Sequence, residues 1–309
     1  MLSDSIRILN FDDSVVKQKR LSQQFCPAII DLKEIGPASR LWFNEVTSRR
    51  IKRFLYPQFK NAITLIGSGD FHHVSSLLIE QFQEPIGVII FDHHPDWNML
   101  PPRFGCGSWV TNILRKDNVK KIILLGVSSG DISSFWVQSG NLNFLKGNRV
   151  EIYPYQHGPT VTFLKNVPDN VSIRIERGIF HNKIYWDELK NRNLRYFIPR
   201  LIDRLETKKV YVSIDKDCLN SENSLTNWEE GSFTLDELLV MLKLIKESLD
   251  IVGLDITGDY SIPQVNNKFK AICSLLDHPK QYSAKGKSAS SINAINEQAN
   301  LKIIELLRN

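Results

Sequence analysis

Short runs rich in Val, Ile and Leu recur along the chain at residues 6–10, 62–67, 87–91, 121–126, 150–153, 171–175, 209–214 and 250–256. Most lack strict apolar–polar alternation, the pattern of strands covered on both faces in a parallel sheet. Helical spacing falls between them. The clearest case opens on the capping-box sequence Thr234-Leu235-Asp236-Glu237 and continues through Leu238, Leu239, Leu242, Ile245 and Leu249. Further helices are predicted near residues 73–83, 108–114, 197–206 and 292–307. Strand and helix alternate, which predicts an α/β fold: a three-layer α/β/α sandwich with a mainly parallel sheet. No repeat or linker divides it, so residues 1–309 are read as a single domain. The stretch 284–291, AKGKSASS, predicts a mobile loop before the last helix.

Composition narrows the function classes. The net charge of +5 is mild, and Lys and Arg are scattered, which argues against a nucleic-acid partner. No apolar run approaches the roughly 18 residues of a membrane span. The opening MLSDSIRILNFDD is polar where a signal peptide needs an apolar stretch. Cys26, Cys106, Cys218 and Cys273 form no close metal-type pair and no disulfide framework, so a reducing cytoplasm is expected. The sequence leaves self-association as a homo-oligomer open.

Ligands of open parallel sheets gather at the carboxyl ends of strands. The polar residues collect there. Residues 62–67 lead into Ser68-Gly69-Asp70-Phe71-His72-His73, and 87–91 into Asp92-His93-His94-Pro95-Asp96. Residues 209–214 lead into Asp215-Lys216-Asp217, and 250–256 into Thr257-Gly258-Asp259. In extended chain, Asp92, His94 and Asp96 share one side, and Asp215 and Asp217 repeat the spacing. So many carboxylates together repel one another, and divalent cations relieve the conflict. Carboxylates with imidazoles suit manganese, zinc or iron better than calcium. The bland alternative is that the acids cap helices and the histidines pack in the core.

These residues resemble the arginase, agmatinase and formimidoylglutamase (ureohydrolase) family over about residues 62–263. Gly69-Asp70-Phe71-His72 looks like its glycine-rich histidine motif. Its D-x-H-x-D motif is met by Asp92, His94 and Asp96, and its S-x-D-x-D motif by Ser213, Asp215 and Asp217. The resemblance implies an arginase-like fold and two manganese ions. It implies the ligands His72, Asp92, His94, Asp96, Asp215 and Asp217, with Asp92 and Asp215 bridging. The neighbouring His73 leaves the first ligand open. It further implies a metal-activated hydroxide that attacks a guanidinium carbon and releases urea, with Asp96 carrying the proton to the leaving amine.

Three departures bear on the substrate. Cys106 stands where arginases keep a proton-shuttling histidine, and it either transfers protons poorly or packs. Gly258 holds the place of the guanidinium-binding glutamate, which makes Asp259 the candidate acid. The segment 97–105 is shorter and more apolar than the arginase loop that grips a free amino acid. Asp131 falls where that family keeps an acid for the substrate's amino group, or it caps a helix. Trp97, Asn227 and Trp228 are candidate substrate contacts, and Trp109 opens a helix. The departures look similar to peptide arginases, which convert peptidyl arginine to ornithine. The expected partner is thus an arginine-containing peptide. The alternatives are a small guanidino compound such as agmatine, a guanidino acid or formiminoglutamate; a deacetylase-like amidohydrolase; or a metal-binding pseudoenzyme.

Overall fold

The computed structural model describes residues 5–55, 60–134, 136–164, 166–278 and 286–308. In chain order its strands are β1 (Ile6–Asn10), β2 (Ala28–Asp31), β3 (Ile63–Gly67), β4 (Ile86–Phe91), β5 (Val119–Leu125), β6 (Val150–Tyr153), β7 (Thr160–Thr162), β8 (Ile173–Arg177), β9 (Asn182–Trp186), β10 (Lys209–Asp215) and β11 (Asp250–Thr257). Eight of them form one parallel sheet in the order β2-β1-β3-β11-β10-β4-β5-β6. A hydrophobic cluster covers each face, one holding Ile90 and Tyr211 and the other Phe91 and Ile214. The mainly parallel, helix-flanked sheet expected from the pattern is the one observed.

The run at 171–175 is the exception. It enters a separate antiparallel sheet, ordered β7-β9-β8, as the strand Ile173–Arg177. Ile173 and Ile175 touch the core while Arg174 and Glu176 are exposed, so this strand alternates as a one-sided sheet requires. The helix expected at 73–83 is a tight 3-10 turn, Gly69–Val74, followed by Ser75–Ile79. Of the stretch 284–291 expected to be a mobile loop, residues 284 and 285 lie outside the described residues. The helix Ala289–Arg308 begins within the remainder. Among the described residues no helix is long and apolar enough to cross a membrane.

Side-chain alternation positions the site. Val210, Val212 and Ile214 of β10 pack into one cluster and Tyr211 into the other, which places Ser213 and Asp215 on the Tyr211 face. Val88 and Ile90 of β4 share that face, and Asp92 continues their row. Ile214 pairs with Phe91, and Asp215 with Thr257. This register brings Asp92 and Asp215 to the same level at the carboxyl edge of the central strands.

Candidate metal centre

Ser68 caps the tight turn after β3, its Oγ accepting from the Asp70 amide at 3.3 Å. The turn carries His72 into the strand-end acids. His72 Nδ1 lies 3.2 Å from Asp92 Oδ2, 3.3 Å from Asp96 Oδ2 and 3.5 Å from Asp215 Oδ2. Its Nε2 lies 2.9 Å from Ser213 Oγ, which donates to Asp255 Oδ1 at 2.7 Å. With its own proton committed to Asp255, Ser213 accepts from Nε2–H, which turns Nδ1 toward the acids. His73 turns its ring against Phe43, 4.6 Å between centroids. Burial pulls the His73 pKa down to about 3.

His94 completes a second group, with Nδ1 2.9 Å from Asp217 Oδ2 and 3.7 Å from Asp92 Oδ1. The ligand atoms of His72, Asp92 and Asp96 all lie within 4.8 Å of one another, as do those of Asp92, His94 and Asp217. Asp92 is common to both trios. Asp96 adopts a left-handed backbone, φ 47°, and its Oδ2 accepts from Trp109 Nε1 at 2.6 Å. Gly69 and Gly258 keep Asp215 unobstructed: a Cβ at either would stand 2.9 Å or 2.5 Å from an Asp215 carboxylate oxygen.

Burial and the charge of Asp92 push the Asp96 carboxyl up to about 7. Burial and the charge of Asp217 push Asp215 well above the usual carboxylate range. Burial opposes the charge of Asp92 too, but His72 and His94 overcome it and hold that carboxyl low. Asp92 Oδ2 is buried and makes no hydrogen bond. An acceptor stripped of water and given no donor is costly, and a cation satisfies it. The donor set is oxygen and imidazole nitrogen, without thiolate. The residues therefore fit divalent ions of the manganese, zinc or iron type.

A cavity of about 430 Å³ opens over these groups. Cys106, Asp131 and Trp228 line it, together with Trp42, Leu100 and Trp136. Burial raises the Cys106 thiol well above its ordinary pKa, so it stays protonated. Ser129 Oγ donates to Asp131 Oδ2 at 3.0 Å and also caps the following short turn.

Three expected contacts face elsewhere. Trp97 is fully buried, with its ring packed over Gly140. Asn227 spends its amide bracing two loops: its Oδ1 accepts from Ser68 Oγ at 3.1 Å and from the Ser261 amide at 3.0 Å. Its Nδ2 donates to Ser261 O at 2.7 Å. Asp259 is buried outside the cavity lining, its Oδ1 accepting from Lys216 Nζ at 2.8 Å and Gln18 Nε2 at 2.7 Å. The preceding Gly258 has a left-handed backbone, φ 88°.

Sequence reading missed Glu229 and Asp277. Glu229 Oε2 lies 3.5 Å from His93 Nε2 and 3.6 Å from His94 Nε2. The two imidazoles hold its carboxyl well below the usual range. Its neighbour Trp228 donates from Nε1 to Asp70 Oδ1 at 2.9 Å, and His278 Nε2 lies 2.7 Å from the same oxygen. Asp277 lines the cavity from the end of the helix Lys268–Asp277, an element the sequence pattern did not reveal.

Comparison with known proteins bears on the fold. No protein-family model matches the chain. An uncharacterized protein of Thermotoga maritima is 22% identical over 197 residues, 64% of this chain and 58% of the relative, so the match spans little more than half of that protein. Among solved structures, arginase from Entamoeba histolytica superposes with a TM-score of 0.58 at 12% identity, covering 100% of both chains. Arginase from Bacillus subtilis superposes at 0.55 and 12% identity, covering 99% of this chain and 98% of that one. The chain has the arginase fold.

Proposed function

We propose that this chain is a ureohydrolase of the arginase superfamily that holds two manganese ions and cleaves the guanidinium group of arginine within a peptide, leaving peptidyl ornithine and releasing urea. The observation that carries it is the pair of ligand trios sharing Asp92 at adjoining strand ends. His72, Asp92, Asp96 and Asp215 surround one position, and Asp92, His94 and Asp217 the other, with Asp215 beside Asp217. Two divalent cations there would bring the pKa of a shared water close to neutral and so supply hydroxide.

The chain's own groups do the rest. Asp96, fixed by Trp109, is placed to receive the water's second proton and return it to the departing amine. Besides the ligands, Asp131 and Asp277 are the carboxylates that line the cavity, and they are suited to meet the guanidinium charge. Ser139 Oγ donates to Asn98 Oδ1 at 3.0 Å, and the rim continues with Leu100, Pro101 and Pro102. Such a rim offers little to a free amino acid's charged ends and suits an internal residue of a peptide. Four free thiols support a reducing, cytoplasmic setting.

Cys106 at the shuttle position and the absence of a side chain at Gly258 favour a second reading, a metal-binding pseudoenzyme. Mass spectrometry of arginine peptides incubated with manganese-loaded protein separates the readings. The expected product is lighter by one carbodiimide unit, with urea in solution. Hydrolysis of free arginine or agmatine with peptides inert restores the small-molecule reading. Bound metal with no turnover of any guanidino compound supports the pseudoenzyme.

A further inference from the structure

The helix Lys268–Asp277 is amphipathic with its apolar side outward. Lys270 and Ser274, one turn apart, are 3% and 4% exposed. Lys270 Nζ donates to the carbonyls of Ala38, Arg40 and Trp42 at 2.8, 2.8 and 2.5 Å. These bonds pin the polar side of the helix to the body of the protein. The outward side carries Phe269, Ile272, Leu275 and Leu276, which are 69%, 57%, 70% and 72% exposed. A soluble surface rarely keeps so many large apolar side chains together without a partner.

The position of this face says what the partner is. Between the inward and outward sides of the helix, Cys273 and Asp277 line the candidate catalytic cavity. Across the entrance Leu100 and Trp136 line the same cavity and are half exposed, with exposed Met99 and Phe104 beside them. The walls are continuous at one end: Trp42 lines the cavity and meets the edge of Phe269 at 5.9 Å, and Phe104 stacks on Phe43 at 6.3 Å. Apolar surface thus flanks an entrance whose interior is acidic.

We propose that this apolar apron is the docking surface for the residues flanking the target arginine, so that the substrate is a peptide with large apolar side chains within two or three positions of it. The proposal rests on reading the cavity as a guanidinium hydrolase site. The arginine cation descends toward Asp131, Asp277 and the metal ligands. Its apolar neighbours are left at the rim, where Phe269, Ile272 and Leu276 on one wall and Leu100 and Trp136 on the other receive them. Free arginine has nothing to place there. An acidic or strongly polar flank would leave the apron wet.

The test uses two labelled peptides that differ only in the residues beside one arginine, Leu and Phe in one and Ser and Gly in the other. Binding to manganese-loaded protein is followed by fluorescence anisotropy, turnover by mass spectrometry and self-association by sedimentation. We expect the apolar-flanked peptide to bind at least about 10-fold more tightly and to have the higher kcat/KM. The ratio between the two peptides should collapse toward one in Ile272→Asp and in Leu276→Asp, both at exposed positions where the fold tolerates charge. Metal content and melting temperature verify the variants. Equal treatment of the two peptides by the wild type overturns the proposal, and so does a ratio that survives both substitutions. Loss of self-association in the variants with an unchanged peptide ratio also overturns it and assigns the face to a second copy of the chain. If no peptide is turned over, the catalytic reading fails, while the anisotropy ratio still decides the docking surface.

Discussion

Asp92 belongs to both candidate ligand trios with one side chain, so its charge should be the hardest to replace. Asp92→Asn keeps the shape and removes half of the carboxylate's donors. Metal content should fall, and activity with it by at least about 100-fold, as plasma emission spectrometry and kinetics on the same sample would show. Near-normal turnover would mean the ions sit elsewhere. Glu229 faces Nε2 of both His93 and His94 and so supports the far side of a proposed ligand's ring. Glu229→Gln should weaken manganese affinity about 10- to 100-fold by loosening the His94 ring. Unchanged affinity in a calorimetric titration would leave Glu229 as a surface acid. At this scale the sequence was informative where a motif follows a strand directly: Asp92, His94, Asp96, Asp215 and Asp217 all come together. It was silent on Glu229, because no spacing links a residue in an irregular loop to an imidazole more than a hundred positions earlier. It did not foresee that Asp259, one residue past a left-handed glycine, is engaged by Lys216 and Gln18.

The elements repeat that lesson. Strands buried on both faces announce themselves by composition, and β1 and β6 fall at their expected bounds. The edge strand β2 is mostly exposed and carries no such mark. The helix Lys268–Asp277 escaped notice although Phe269, Ile272 and Leu276 recur at helical spacing; its apolar stripe faces solvent. The capping box was legible and is present: Thr234 accepts from the Glu237 amide, and the Glu237 carboxylate accepts from the Thr234 amide at 2.8 Å. Thr234→Ala should therefore cost about 1 kcal/mol in urea unfolding without altering metal content. Asp259 belongs to this scale too. Asp259→Asn leaves the Lys216 ammonium buried without its counter-charge, for a loss of about 3–5 kcal/mol. The folded fraction should keep its KM, whereas a raised KM with unchanged stability would return Asp259 to the substrate.

For the whole molecule, the order of strands was not readable from the pattern. Alternation of strand and helix specifies a layered α/β fold but leaves open which strands become neighbours. The central placement of β10 and β11 between β3 and β4 is what gathers four strand ends into one edge. Such a site should couple metal to global stability. Manganese at about 100 times its dissociation constant should add roughly 2.7 kcal/mol per independent site, seen as a higher melting temperature that a chelator reverses. A melting temperature indifferent to both would remove the metal from the fold's energetics.

The brace behind the site draws on both ends of the described chain. Asp259 is held by Lys216 on the β10 turn, by Gln18 near the first strand and, at 3.4 Å, by Asn300 in the final helix. Gln18 Oε1 in turn accepts from Asn300 at 2.9 Å, and Glu297 of the same helix accepts from the backbone of Arg20 and Leu21 at 2.7 and 3.1 Å. The helix Ala289–Arg308 is synthesised well after Asp217, so a nascent chain holds every proposed ligand before it holds the brace that steadies Lys216 between Asp215 and Asp217. Until that helix packs, the motifs stand without their support, and a metal ion should be held more weakly.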